Sequence, residues 1–474
     1  MPVSSTHPEY DAHIMRWALV RDVVNSRVKQ YIKDVDINDP FRNKRYKDDA
    51  QFTNFTGRTK HGLLGAIFRK NVSSVLPLPI AYLEEDATGT GMSLTKLAQE
   101  VSGEILQSAR YGLLVDYPAS QNGLTAAEVA DMNLAARISR YTAESIINWY
   151  IEIVNGIPTL TLVVLKECTS VLGEDGFEWR EQTQYRVLRM IEGTYVQLLY
   201  NEREELINMY EPLQSNGQKW DKIPFVFVGA EDNDASIDAA PLYDLAMLNI
   251  GHLRNSADYE ESTHITGQPT LIINTSMSTE EFNAANPNGV VIGARRGHNL
   301  GESGSAQFLQ ASPNQLADTA MSRKEQQAIM LGARLITPTS ANETVDAARM
   351  RHSGETSVLE VIAHNVEHAL IKCCEYALAF MGDSSQAEEI DITVNTEFFD
   401  SPLDPNLVMA QLQLYNNGII AKSDIRDELR RHGALDESRT DEDIDAEVDT
   451  DTGSDPGFSF LPNPEPQVPN GGSQ

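Results

Sequence analysis

Between Leu359 and Phe380 the apolar residues fall at alternating steps of three and four: Leu359, Ile362, Val366, Ala369, Cys373, Tyr376 and Phe380. That alternation marks one stripe on an α-helix, because about 3.6 residues complete a turn. A stripe this regular demands a long helix running to about Met381, with one side buried against other elements or another subunit. Ile336-Thr-Pro-Thr-Ser-Ala-Asn342 is a breaker that separates it from the helix before. At 474 residues the chain exceeds one ordinary core, so two to four structural units are expected.

A second pattern occupies residues 146–228, where the period shifts toward two. Ile146–Val154 and Ile157–Glu167 flank Asn155-Gly156, a dipeptide suited to a type I′ hairpin turn. Tyr185–Ile191 and Tyr195–Tyr200 flank Glu192-Gly193 in the same way, and Ile223–Val228 reads as a further strand. Ahead of this β-rich unit the chain reads as helical, with helices over 12–33, 59–72 and 93–110. The basic stretch Phe41–Lys47 reads as a solvated loop, Tyr111–Pro118 as a short buried strand, and Thr125–Glu128 as a capping box.

Pro241 opens a helix to about Thr266 whose apolar positions are sparse: Leu242, Leu245, Leu248, Leu253 and Ala257, interrupted by Asn249, His252, Asn255, Ser256 and Asp258. A monomer is expected to gain little by burying such a helix, whereas a ring of identical neighbours could use it. A compact β-leaning insert follows over 270–310, with Leu271–Ile273, Val290–Ile292, Phe308-Leu309 and a basic island at Arg295, Arg296 and His298. A return helix opens at Pro313 and reaches about Arg334. Glu389–Asn395 alternates as a strand, and helices are expected at about 405–417 and 422–432. From Asp436 to Gln474 acidic and small residues, then Pro, Gly, Ser and Asn, predict a disordered tail. There is no internal repeat.

Composition excludes several functions. No run of about 18 apolar residues marks a membrane span, and the N-terminus lacks a signal peptide, so the product is expected to stay in the cytoplasm. Cys168, Cys373 and Cys374 fall in no metal or redox pattern and read as small apolar residues in a reducing compartment. The absence of G-x-x-x-x-G-K-[ST] removes a Walker-type ATPase, and no G-x-S-x-G elbow is present. His364-Asn-Val-Glu-His368 matches H-x-x-E-H, a zinc-hydrolase signature with Glu367 beside two imidazoles. The apolar stripe puts Val366 inward, however, which leaves His364 and His368 on the solvent side, and no third ligand motif follows. No catalytic, cofactor-binding or metal-binding residues are therefore assigned. The formal net charge of −31 opposes a protein that grips nucleic acid, though not one that lets DNA slide past.

The order of parts resembles the portal proteins of tailed bacteriophages. Segments similar to a siphophage-type subfamily are Arg110–Pro118, Ile146–Trp149, Pro241–His252, Arg254–Tyr259, Thr266–Leu271, Gly332–Leu335 and Glu355–Leu359, spread over roughly residues 10 to 435. The resemblance implies an α+β, mainly helical fold with a wing over 1–240 (β-rich at 146–228), stem helices at 241–266 and 313–335, and a β-containing clip at 267–312 between them. It further implies a tunnel loop at 336–349, a spine helix and wing strand at 350–400 and a crown at 401–435.

By the same resemblance the chain is a dodecameric, non-enzymatic ring subunit at the capsid vertex of a virion, without a cofactor. It would conduct double-stranded DNA and meet the major capsid protein, the terminase and a tail adaptor. Thr337, Thr339, Ser340, Asn342 and Arg349 would face DNA, or else form an ordinary helix–helix loop. Arg295, Arg296 and His298 would dock partners, or else be surface charges. Asn249, His252, Arg254, Asp258, Arg323 and Lys324 would lie between subunits. Alternatives are another phage head interaction protein and, remotely, a zinc hydrolase built on the H-x-x-E-H motif.

Overall fold

A computed structural model describes residues 2–117, 134–173, 176–268, 270–287, 289–290, 297–310, 315–332, 345–382, 384–396, 398, 405–431, 434–436 and 439–452. Over 345–357 it describes the backbone course alone. Two units divide the chain, Met1–Phe398 and Phe399–Gln474. The fold is mixed α+β with antiparallel sheets. Among the described residues no helix is long and apolar enough to cross a membrane.

In the first unit, α1 (Pro8–Val24) starts with proline in its first turn and His7 as its cap, and buries Trp17, Val20 and Val23. The sequence reading carried this helix to residue 33. It stops at Val24 because Asn25 caps it and Ser26 takes a positive φ of 60°. The chain turns there, and Val28 and Ile32 reach the core from a short 3₁₀ turn and its flanks.

The stretch expected as a loop at 41–47 is instead α2 (Pro40–Asp49). Asp39 Oδ1 accepts the Arg42 N–H at 2.9 Å, and Pro40 occupies the first turn. Next come α3 (Phe55–Ile67), capped by Asn54, then β1 (Ser73–Val75) and α4 (Leu94–Ser108), which ends at Ala109 with φ 54°. β2 (Arg110–Asp116) is the buried centre of a three-stranded sheet, between β3 (Arg137–Thr142) and the later β9 (Phe225–Gly229). Gly112 is required in β2. A Cβ there would come within 2.4 Å of the Phe225 ring. The capping-box motif at Thr125–Glu128 lies outside the described residues.

β4 (Ile146–Val154), β5 (Ile157–Leu172), β6 (Trp179–Ile191), β7 (Thr194–Asn201) and β8 (Leu206–Tyr210) form a five-stranded antiparallel meander in that order. Both tight turns expected from sequence are present. Asn155 and Gly156 take φ of 53° and 82°, and Glu192 and Gly193 take 49° and 77°, the double positive φ of a type I′ turn. The β4–β5 ladder ends at Ile146↔Leu165 and the β6–β7 ladder at Gln184↔Asn201. β5 and β6 nevertheless stay paired as far as Leu172↔Trp179. The last part of this hairpin is thus a bare two-stranded ribbon. One sheet face packs on the main core through Trp149, Val163, Leu165, Leu188 and Tyr195. The other buries Ile147, Val164, Val187, Val196 and Leu198 under Val3 and Tyr10.

The unit continues with β9 (Phe225–Gly229), α5 (Tyr243–Gly267), β10 (Thr270–Asn274), α6 (Thr279–Ala285), β11 (Ser305–Leu309), α7 (Leu316–Leu331), α8 (Val345–Met381) and β12 (Asp391–Thr393). The stripe read from sequence along α8 is buried at every position from Leu359 to Phe380. It packs against this chain's own β2, β9 and α4. Cys373 and Cys374 are buried with it, and burial pushes the Cys374 thiol up to about 12. Cys168 is exposed on β5.

The second unit holds α9 (Pro405–Asn416), α10 (Lys422–Arg431) and α11 (Asp441–Thr452). Gly418, at φ 70°, lies in the turn after α9. The stretch from Asp436, expected to be disordered, therefore contains a helix. Thr440 caps it, accepting the Asp443 N–H at 3.2 Å. Arg426, Arg430 and Arg439 pair with Asp441, Asp445 and Glu447, which neutralises the acidic face. Residues 453–474 lie outside the described residues.

Candidate functional site

The helical pair α5 and α7, with the β module between them, is the part of the chain on which the sequence reading placed its docking and inter-subunit residues. β10 and β11 pair antiparallel from Thr270↔Leu309 to Asn274↔Ser305, so the chain leaves and returns side by side. The Gln310 side-chain amide donates to Thr266 O at 3.1 Å and ties the return to the end of α5. The insert was read as β-leaning, and α6 is an addition to that reading. Ser278 and Glu281 form its capping box. Asn286 is 8% exposed. It staples the module by donating to Phe282 O and Asn299 O, both at 3.0 Å, and accepting the Asn299 N–H at 3.2 Å.

α5 was expected to gain little in a single chain. The structure corrects that expectation. Leu245, Ala246, Ile250, Leu253 and Ala257 are all buried, and Asn249, Asn255 and Ser256 beside them are matched rather than stranded. Asn249, fully buried, accepts from Thr56 N and Thr56 Oγ1 at 3.2 Å each and donates to Thr53 O at 2.8 Å. Ser256 Oγ accepts the Gln51 N–H at 2.8 Å. His252 is buried, edge-on to Phe55, with Nε2 3.3 Å from Glu325 Oε1 of α7. Its Nδ1 has no protein partner. Lys324 Nζ donates to Asn255 Oδ1 at 2.6 Å and lies over Gly251, where a Cβ would sit 3.0 Å from its stem. Most of the polar positions that read as an unburied surface thus make hydrogen bonds within the chain.

The outer part of α5 carries a charged seam with α2. Arg42 Nε donates to Glu261 Oε1 at 2.7 Å, Tyr46 OH to Asp258 Oδ1 at 2.6 Å, and Arg45 Nη1 lies 2.8 Å from His264 Nε2. Burial and the Asp258 carboxylate raise the Tyr46 phenol above its ordinary range. Arg254 Nε donates to Tyr31 O at 3.0 Å. Of the positions read as lying between subunits, Asn249, His252, Arg254, Asp258 and Lys324 make these contacts within the chain, and Arg323 is exposed. His298 is half-buried, while Arg295 and Arg296 lie outside the described residues. So do Thr337, Thr339, Ser340 and Asn342. Arg349 lies in α8, where only the backbone is described.

In the H-x-x-E-H segment His364 and His368 are exposed, as the stripe required. Glu367 Oε2 accepts the Val394 N–H at 2.9 Å, which fixes the chain just past β12. Among the described residues no group of three His, Cys, Asp or Glu side chains is placed to hold a metal.

Two features escaped the sequence reading. Arg110, only 2% exposed, stacks over Trp149 and Phe227 at 4.2 and 4.1 Å. Its Nη1 donates to Ala235 O and Ser236 O at 3.0 Å, and burial lowers its pKa to about 10. The other is a cleft of about 590 Å³ between α8, β9 and the β4–β5 turn. Ile151, Pro158, Leu160 and Phe227 form apolar walls, with Lys372 and Tyr376 on the α8 side.

The family model for a domain of unknown function (DUF4055) matches residues 241–381, from the start of α5 to the end of α8. No curated protein matches the chain. Among solved structures, chains from the virion of a native gene transfer agent (GTA) particle and from the neck of an empty GTA particle computed with C6 symmetry are similar. Each gives a TM-score of 0.41 at 14% identity, covering 79% of this chain and 89% of that chain. A likeness that loose assigns no function to this chain.

Proposed function

We propose that this chain is a portal-type subunit, which joins copies of itself in a ring at a capsid vertex and so forms the conduit for double-stranded DNA. One observation carries the reading: α5 and α7 are joined at one end by the paired β10 and β11, and α7 leads on to the long buried α8. This is the order of stem, clip, return stem and spine that the sequence segments of 241–271 and 332–359 resemble. The β module would then be the docking end for the terminase during packaging and for a tail adaptor afterwards. Residues 336–349 would face the DNA, and the wing would meet the major capsid protein. Twelve copies is the subunit number the resemblance implies.

The chemistry is that of a passive wall. Cyclic symmetry converts each channel-facing side chain into a circle of identical groups. With −31 per chain, twelve chains carry about −370. Acidic walls repel phosphate, so the duplex finds no adhesive site at which to stall. The chain itself contributes no ATP hydrolysis on this reading. Electron microscopy of the purified protein tests it. The expected result is a ring with a central channel near the ~20 Å width suggested by duplex groove dimensions. A monomer, or an oligomer without a channel, overturns it.

A further inference from the structure

The β5–β6 ribbon carries an apolar tip that its own chain leaves uncovered. Trp179 is 67% exposed and its cross-strand partner Leu172 is 45% exposed. Residues directly opposite in an antiparallel pair share a face, so the two form one knob. A bare two-stranded ribbon is marginal in water, and an indole held out on one is a cost without a partner.

The cleft beside α8 is the complementary feature. Pro158 and Leu160 of β5, Ile151 of β4 and Phe227 of β9 give it apolar walls, and Asn233, Asp234, His368, Lys372 and Glu375 also line it. Its volume of about 590 Å³ lies within the ~300–1,000 Å³ range of cavities that enclose ligand-sized apolar groups. Trp179 pairs with the last residue of β5, whereas Pro158 is the second residue of the same strand. The strand between Leu160 and Leu172 holds knob and cleft about 40 Å apart, so one chain cannot bring them together.

We propose that the occupant of the cleft is the Trp179–Leu172 tip of a second copy of this chain. Knob and hole at opposite ends of one strand make a head-to-tail contact, the heterologous kind that closes into a ring when the rotation between copies permits. The inference rests on the ring reading above and names the surface that each subunit offers its neighbour. The tip alone falls short of the ~800 Å² per partner that a stable pair needs, so it acts as the anchor within a larger contact.

The test uses the full chain. Wild-type protein, Trp179→Ser and a cysteine pair that keeps Trp179 (Ser170→Cys, on the same face of the ribbon, with His368→Cys, on a Cys168→Ser background) are compared by mass photometry, microscopy and non-reducing gels. Trp179→Ser is expected to leave monomer melting unchanged and to raise the concentration needed for rings roughly ten-fold or more. The cysteine pair is expected to give a ladder of disulfide-linked multimers that either single cysteine lacks. Wild-type rings with Trp179→Ser assembling at the same concentration, or with no ladder, overturn this contact and leave the ring reading standing. Protection of the tip only after capsid protein is added gives the knob to that partner instead. A wild-type chain that stays monomeric at every concentration overturns the ring reading, and this contact with it.

Discussion

Asn249 shows how a polar residue can be the most constrained position on a helix. All of its bonds run to Thr53 and Thr56, on another segment of the chain. Removing the amide leaves the buried Thr56 N–H and hydroxyl without their acceptor and takes one of two donors from the part-buried Thr53 carbonyl, which keeps the Phe55 N–H. Asn249→Ala is expected to lower unfolding stability by about 3 kcal/mol, read as a shift in urea midpoint at constant slope. Glu167 is the comparable acid. Burial pushes its pKa up, but Arg186 at 2.7 Å and hydrogen bonds from Tyr141 and Gln184, both at 2.6 Å, outweigh that, so the net shift is below the ordinary 4.5. A lowered carboxyl pKa contributes stability that is complete above 4.5 and lost as pH falls through the folded value. Thermal melting from pH 7 to pH 3 should steepen below 4.5 in the wild type. Glu167→Gln should flatten that acid limb while costing stability at pH 7.

At the scale of elements, legibility followed the distance over which each element is held. The two type I′ turns announce themselves through Asn155-Gly156 and Glu192-Gly193, because the backbone requirement sits in those residues. The α8 stripe was readable for the same reason, since its periodicity is internal to the helix. α2 was not. Its sequence is nearly all polar, and what holds it is a set of contacts to Asp258, Glu261 and His264 some 200 residues away. Only the Asp39-Pro40 start was a local sign, and it was outweighed by the basic run that follows. α11 escaped for a related reason, being an acidic helix made tolerable by arginines of α10 and Arg439. In α5 the sparse stripe was legible, but the partners of Asn249 and Ser256, on residues 51–56, were not. Asp39→Ala should therefore loosen α2 by about 1 kcal/mol. Hydrogen exchange is expected to speed up at the α2 amides while those of α8 keep their protection.

For the molecule as a whole, one apolar core runs from the sheets and α8 into α5, and matched polar groups are added to it at particular places. The main core joins α4, α8 and the sheets through residues such as Leu97, Ile105, Leu113, Ile362 and Leu370. The helical pair that bears the β module shares that core through Leu245, Ile250 and Leu253, and is in addition keyed by bonds of fixed direction, Asn249 and Ser256 to residues 51–56 and His252 and Asn255 to α7. Apolar stripes can slip past one another with modest loss, as adjacent turns of a helix present similar side chains. An amide locked to two particular backbone groups tolerates no such slip. Displacing α5 by one turn, about 5.4 Å, would break every one of those bonds at once. Force applied to the paired strands at the end of the hairpin is thus handed to the body as by a keyed shaft, at one height and one angle, instead of being dissipated by a helix sliding in its groove.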